Sequence, residues 1–183
     1  LQQKLEELGR DHGMMAELTE VYERGLASDE TNTDDELRIL LRLAAINADD
    51  LHKSSVAAEW YERVLNVDAG HDTALTALER HYAHTEQWEH MARILRSRLE
   101  VTEGSQSRVE VFYRLADVHE QLNQSEDAIQ ALTDALVLTP SDTGIRTRLQ
   151  TTAHHANRHD LLANAYRVIH DMPEKLASID ARI

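Results

Sequence analysis

Leucines recur along this chain at intervals that a single closed core does not impose. Leu5, Leu43, Leu78, Leu115 and Leu149 are 38, 35, 37 and 34 residues apart. A second series follows at a nearly fixed offset: Leu5 to Leu26, Leu43 to Leu65, Leu78 to Leu99 and Leu115 to Leu136 span 21, 22, 21 and 21 residues. Self-similarity at this period marks a repeat architecture, in which each unit is one supersecondary element. Such a unit cannot bury its apolar face alone, so neighbours stack into a continuous core. Within a unit the apolar residues recur at three and four, as in Val111, Leu115, Val118 and Leu122, which is the helical period. The stretch from Leu115 to Pro140 reads as two helices joined by a turn at Asn123-Gln124-Ser125.

Boundary signals agree with helix pairs. The 183 residues hold only six Gly and two Pro, too few for a fold of short strands and tight turns. Thr33-Asp34-Asp35-Glu36 and Ser107-Arg108-Val109-Glu110 have the capping-box pattern, a hydroxyl three residues before a Glu. Pro140 ends the helix before it, and Gly70 and Gly104 fall between units. Asp171-Met172-Pro173-Glu174 predicts the start of a final helix, with Pro where the missing N–H does least harm. The expected organisation is one array over residues 1–183, with units near 1–36, 37–71, 72–106, 109–142 and 143–172 and an extra helix at 174–183. Both ends lie in helical pattern and the first residue is Leu1, so the chain is expected to be part of a longer protein.

The 109–142 unit resembles the tetratricopeptide repeat. Phe112 stands at the usual Trp place, Leu115-Ala116 at the Leu-Gly pair, Ala128 and Ala135 at the two small packing sites, and Pro140 at the end. The 37–71 unit keeps Leu43-Ala44, Ala57, Tyr61 and Leu65. The 72–106 unit keeps Leu78, Tyr82, Trp88 and Leu99 but puts Met91 and Arg98 at the small sites. The first and last units are degenerate, with His170 where the last second-series Leu would fall. The resemblance implies an all-α, right-handed solenoid of about five helix-turn-helix repeats. The first helix of each pair would then line a concave face, and Trp60, Tyr61, Tyr82, Trp88, Phe112 and Tyr166 would pack between hairpins.

Several chemistries find no support. With no Cys there is no disulfide, thiol nucleophile or Cys-held metal. No glycine-rich phosphate loop, HExxH or GxSxG occurs, so no catalytic residue and no cofactor is assigned. His154-His155-Ala156-Asn157-Arg158-His159 holds two His at a zinc-compatible spacing. It spans an expected turn, however, and His81, His84 and His90 scatter around another, so no metal is assigned. Asp29-Glu30 and Asp34-Asp35-Glu36 lack the Gly of a calcium loop. The longest apolar stretch, Ile39 to Ile46, is broken by Arg42 and is far short of a membrane span. A net charge of −14 disfavours nucleic acid, whose affinity comes largely from Lys and Arg.

One pattern points to recognition. The residues preceding the first-series leucines are Lys4, Arg42, Ala77, Arg114 and Arg148, four of five basic in an acidic chain. Equivalent repeat positions form a row, and in the tetratricopeptide resemblance this place borders the concave groove. Arg80, two after its leucine, fills the gap at Ala77. The candidate peptide-binding face is therefore Arg42, Arg80, Tyr113, Arg114, Asp117, Glu120, Arg148 and His154. Guanidinium forks suit an acidic peptide. The competing reading is that each Arg pairs with an Asp or Glu on an adjacent helix. The clamp by which some tetratricopeptide domains grip acidic chaperone tails is not expected. In one register Leu41, Ala45 and Glu110 replace its polar residues; in the other Thr76, Arg80 and Gly144 do.

The function these features predict is a non-catalytic scaffold that binds a partner peptide or helix, with self-association as a further outcome of exposed repeat ends. The alternative is a ligand-sensing repeat domain that controls an attached effector. Acidity and the lack of Cys favour a cytoplasmic setting.

Overall fold

The computed structural model describes residues 2–27 and 32–180. All ordered elements among them are helical, and they fall into two compact units, residues 1–86 and 87–183. The boundary lies in the turn between the two helices of the third predicted repeat.

The first unit contains α1 (Gln2–His12), α2 (Met15–Leu26), α3 (Thr33–Ala45) running into a π-helical turn (Ile46–Asp50), α4 (Ser54–Val67) and α5 (Asp72–His84). Successive helices pack on one another, α1 on α2, α2 on α3, α3 on α4 and α4 on α5. The second unit contains α6 (Trp88–Val101), α7 (Ser105–Gln121), α8 (Ser125–Leu138), α9 (Thr143–His155) and α10 (His159–Asp180). There α7 packs on both α6 and α8, α8 also packs on α9, and α10 closes over α8 and α9.

The leucine series explains these cores. Leu43, Leu78 and Leu149 are fully buried and Leu115 nearly so; each such side chain contributes about 2 kcal/mol of apolar transfer. Leu136 of the second series is also inaccessible. Ala57, Ala128 and Ala135 are buried where two helices approach closely, and a larger side chain there would force the helices apart. Leu5 differs: it is 47% exposed.

The hairpin turns share one backbone device. Gly13, His52, Glu86, Asn123 and Asn157 all have φ between 53° and 66°. Each lies two residues before the next helix. In three turns the Schellman pair of hydrogen bonds is complete. Gly13 N–H reaches Arg10 O at 3.2 Å and Met14 N–H reaches Gly9 O at 2.7 Å. Asn123 to Glu120 and Gln124 to His119 repeat this at 3.0 and 2.8 Å, as do Asn157 to His154 and Arg158 to Ala153. The second repeat departs. Its Leu51 N–H bonds Ile46 O, and Lys53 N–H spans to Asn47 O at 2.7 Å. That span is one residue longer than its counterparts. The 22-residue interval from Leu43 to Leu65 is thus a one-residue insertion absorbed by a π turn.

Three sequence expectations need correction. The cap of α3 is Asn32, whose side chain accepts from Asp35 N–H at 3.0 Å, one residue before the predicted Thr33. An amide oxygen at that position competes well with a hydroxyl. Ser107 lies inside α7, which begins at Ser105 after Gly104 with φ +82°; Arg108 instead bonds Leu99 O at 2.6 Å. No separate helix starts at 174: α10 continues through Pro173 to Asp180. One Pro deletes a single helical hydrogen bond, and the backbone need not stop there. Leu1, the acidic Asp29-Glu30 pair within 28–31, and residues 181–183 lie outside the described residues.

Candidate interaction surface

In the first unit, Arg42 of α3 turns toward α1. Its Nη1 donates to Glu6 Oε2 at 3.4 Å, and Tyr22 OH of α2 donates to Glu6 Oε1 at 3.1 Å. The Glu6 side chain is only 5% exposed while that of Arg42 is 40% exposed. Burial, reinforced by the Glu6 charge, raises the Tyr22 phenol above its ordinary value. Alongside, Arg10 grips Asp50 at 2.7 Å. Arg42 thus links α3 to α1 through Glu6, and Tyr22 of α2 meets the same carboxylate.

Arg148 does the same in the second unit. From α9 its Nη2 donates to Asp117 Oδ1 and, at 2.8 Å, to Glu120 Oε2, both on α7. Its guanidinium lies 4.5 Å from the Tyr113 ring centre, within cation–π range. Thr152 Oγ1 adds a bond to Glu120 Oε1 at 2.9 Å. Burial opposes the Arg148 charge, but its hydrogen bonds to Glu120, Asp117 and Tyr113 outweigh that and raise its pKa. Four predicted site residues, Tyr113, Asp117, Glu120 and Arg148, thus form one cluster. On the same helix as Tyr113, His119 is buried. Arg96 Nη2 lies 3.2 Å from its Nε2, and Gln124 Oε1 is 2.7 Å from its Nδ1. A guanidinium only donates, so Nε2 accepts and Nδ1 carries the proton.

The remaining predicted residues border open surface. Arg114 is exposed on α7 and lines a groove with Val109, Glu110, Tyr113 and Ile145. Arg80 is exposed on α5 and lines a second groove with Tyr61, His81 and His84. Burial, then the neighbouring His84, lowers the His81 pKa; burial, then Asp49, raises that of Tyr61. His154 is exposed at the end of α9, its ring centre 5.7 Å from that of His159. Among the described residues no group of three or more His, Asp or Glu is placed to hold a metal ion. Nor is any helix there long and apolar enough to cross a membrane. Of the aromatic residues expected between hairpins, Tyr82 is buried, and Trp60 packs on Met15, Leu18, Tyr22, Leu43 and Ile46.

Sequence reasoning missed Glu6, which nothing in the pattern distinguishes from the other acidic residues. It also missed the joint wall of Arg80, His81 and His84. The odd 22-residue interval was the available signal for that region.

No protein-family model and no curated protein sequence matches the chain. Solved structures do. MamA from AMB-1 is 17% identical over 93% of this chain and 91% of that one, with a TM-score of 0.50. MamA from Desulfovibrio magneticus RS-1 is 14% identical over 94% and 93%, with a TM-score of 0.45. A Podosopora anserina chain described as a kinesin light chain with nearly identical TPR-like repeats is 18% identical over 95% of both, at 0.48. The chain has a tetratricopeptide-like helical repeat fold. Likeness at this identity concerns the fold. In this tetratricopeptide-like fold the leucine positions of the first helices are recognisable, and Arg42 and Arg148 beside them are engaged by acidic residues of neighbouring helices.

Proposed function

We propose that the chain is a non-catalytic interaction module whose hairpin surfaces bind a partner peptide or helix. The observation that carries this reading is the fold itself, a series of helical hairpins that leaves open grooves beside the first helices of its repeats. Arg80 and Arg114 border two such grooves and favour an acidic partner. Arg42 and Arg148 act in this reading as struts that hold the first helices together. Among the described residues no nucleophile, base and orienting partner come together in a way that would favour a catalytic reading.

Affinity capture with the intact chain tests the reading. An Arg80→Glu/Arg114→Glu variant that keeps wild-type helicity should lose at least 90% of a partner retained by the wild type, since each reversed charge opposes an acidic ligand. Recovery of no specific partner, or equal recovery by the variant, overturns it.

A further inference from the structure

The second repeat is the one whose anchor interval is 22 rather than 21 residues, and its surplus residue sits in the Ile46–Asp50 turn. A π turn widens a helix locally, and such turns recur at functional sites. Here a cavity of about 300 Å³ opens between that turn, α4 and α5. Its floor is made by Ala48, Ala57 and Ala77, and its rim by Tyr61, Arg80 and His84. Arg80 forms no hydrogen bond or ion pair among the described residues, unlike Arg42 and Arg148. His81 stands beside it on the same α5 wall. Asp49, which acts on Tyr61, is the nearby acid at the turn. In a chain of net charge −14, the Arg80 guanidinium places a fixed positive charge at this small cavity, and the two imidazoles beside it add hydrogen-bonding groups.

Alanine methyls offer contact to an aliphatic body but no polar partner. The α5 wall offers donors to an anion. A cavity with both features selects a ligand whose aliphatic part adjoins a carboxylate. We propose that this groove receives an aliphatic side chain of an acidic partner peptide on its alanine floor, with a flanking Asp or Glu carboxylate held by Arg80 and His84. The proposal rests on the interaction-module reading and names the partner class for this groove. The inserted residue then has a purpose: the turn that absorbs it places Ala48 against α4 and α5 as part of the cavity floor.

The test is an NMR titration of the intact chain with the peptide Ac-Ser-Gly-Leu-Glu-Gly-Ser-NH2. The expected result is saturable shifts of the Ala48, Ala57 and Ala77 methyls and of the 80–84 backbone. Replacing the peptide's Glu by Gln or its Leu by Ser should weaken binding at least fivefold, and Arg80→Gln in the protein by about tenfold. Ala77→Leu, which fills the floor, should abolish the methyl shifts while circular dichroism stays unchanged. Absence of saturable shifts at these residues overturns the proposal. So does equal binding of the Gln peptide, or an equal response to sodium acetate alone. If a captured partner is retained equally by Arg80→Gln, this groove is overturned and the module reading stands. If capture finds no partner while the titration behaves as expected, the module reading falls and the groove's ligand chemistry stands.

Discussion

The backbone N–H of Lys53 bonds the carbonyl of Asn47 at 2.7 Å, across one residue more than the matching bond from Gln124 to His119 in the fourth repeat. Both close a hairpin turn on a residue of positive φ, His52 or Asn123. The turn geometry is therefore held constant, and the added residue is accommodated upstream, inside the helix. Buried Asn47 secures that site by donating from Nδ2 to Leu43 O at 2.8 Å.

Deleting a residue there should be tolerated. Removing exposed Asp49 leaves the Leu43–Leu65 interval at the length of the other repeats and lets the turn revert to α-helix. The expected loss is under about 2 kcal/mol, a shift of roughly 4–8 °C in melting temperature. Removing Asp117 from the middle of α7 rotates every later apolar position of that helix by about 100° and should abolish cooperative unfolding. Calorimetry of the two deletion variants separates these outcomes.

The turn residues set a second expectation. A non-glycine residue in the left-handed region is disfavoured by about 1–2 kcal/mol, and glycine returns part of that gain as unfolded-chain entropy. Glu86→Gly, at φ 55°, should therefore stabilise by about 0.5 kcal/mol. Asn123→Gly should gain less, because Asn tolerates this region. Gly13→Ala, with open space around the would-be Cβ but φ +66°, should cost about 1 kcal/mol from conformation alone. Urea midpoints of the three variants give the order.

Glu6 and Arg42 should behave as a coupled pair. Arg42→Ala leaves a carboxylate side chain only 5% exposed, held by the Tyr22 hydroxyl and by the longer-range charge of Arg10. Because Arg42 is itself partly in water, the expected loss is about 1–3 kcal/mol, below that of a fully buried pair. Glu6→Gln in the Arg42→Ala background should restore at least half of it. A double-mutant cycle in urea measures the coupling; additive losses would show that Arg42 is not a strut.

The hairpins were legible in the leucine spacing because a stacked array must present the same buried surface at every repeat. Leu43, Leu78 and Leu149 could not be spared, and the structure buries all three. Helix starts were less legible. Asn32 outcompetes Thr33 as a cap by one residue, a difference of tenths of a kcal/mol between rival acceptors. The arginine row was visible, but its direction was not. Whether Arg148 reaches a ligand or Glu120 depends on an α7–α9 approach that no single helix encodes. The groove beside Arg80 was hidden for a similar reason: its floor is three alanines from the π turn, α4 and α5, each unremarkable in its own segment.

Two carboxylates should give opposite acid responses. Arg158 donates to Asp160 at 3.0 and 2.9 Å, and chiefly through those bonds holds its pKa down at about 2. The folded-state value lies below that of an unfolded Asp, about 3.9. Its stabilising contribution is therefore present above that value and lost as pH falls toward 2. Asp134 is the reverse. Burial pushes its pKa up despite the bond from Gln130, so the folded state favours its protonated form. Its contribution is full below the unfolded value and is lost as pH rises through the folded one. Asp160→Asn should therefore lower the melting temperature at neutral pH and approach wild type near pH 2, where Asp160 itself is neutralised. Asp134→Asn should raise the melting temperature at neutral pH, with the gain vanishing below about pH 4. Melting curves from neutral pH to pH 2 for both variants check the signs, and a common slope for the two would refute the assignment.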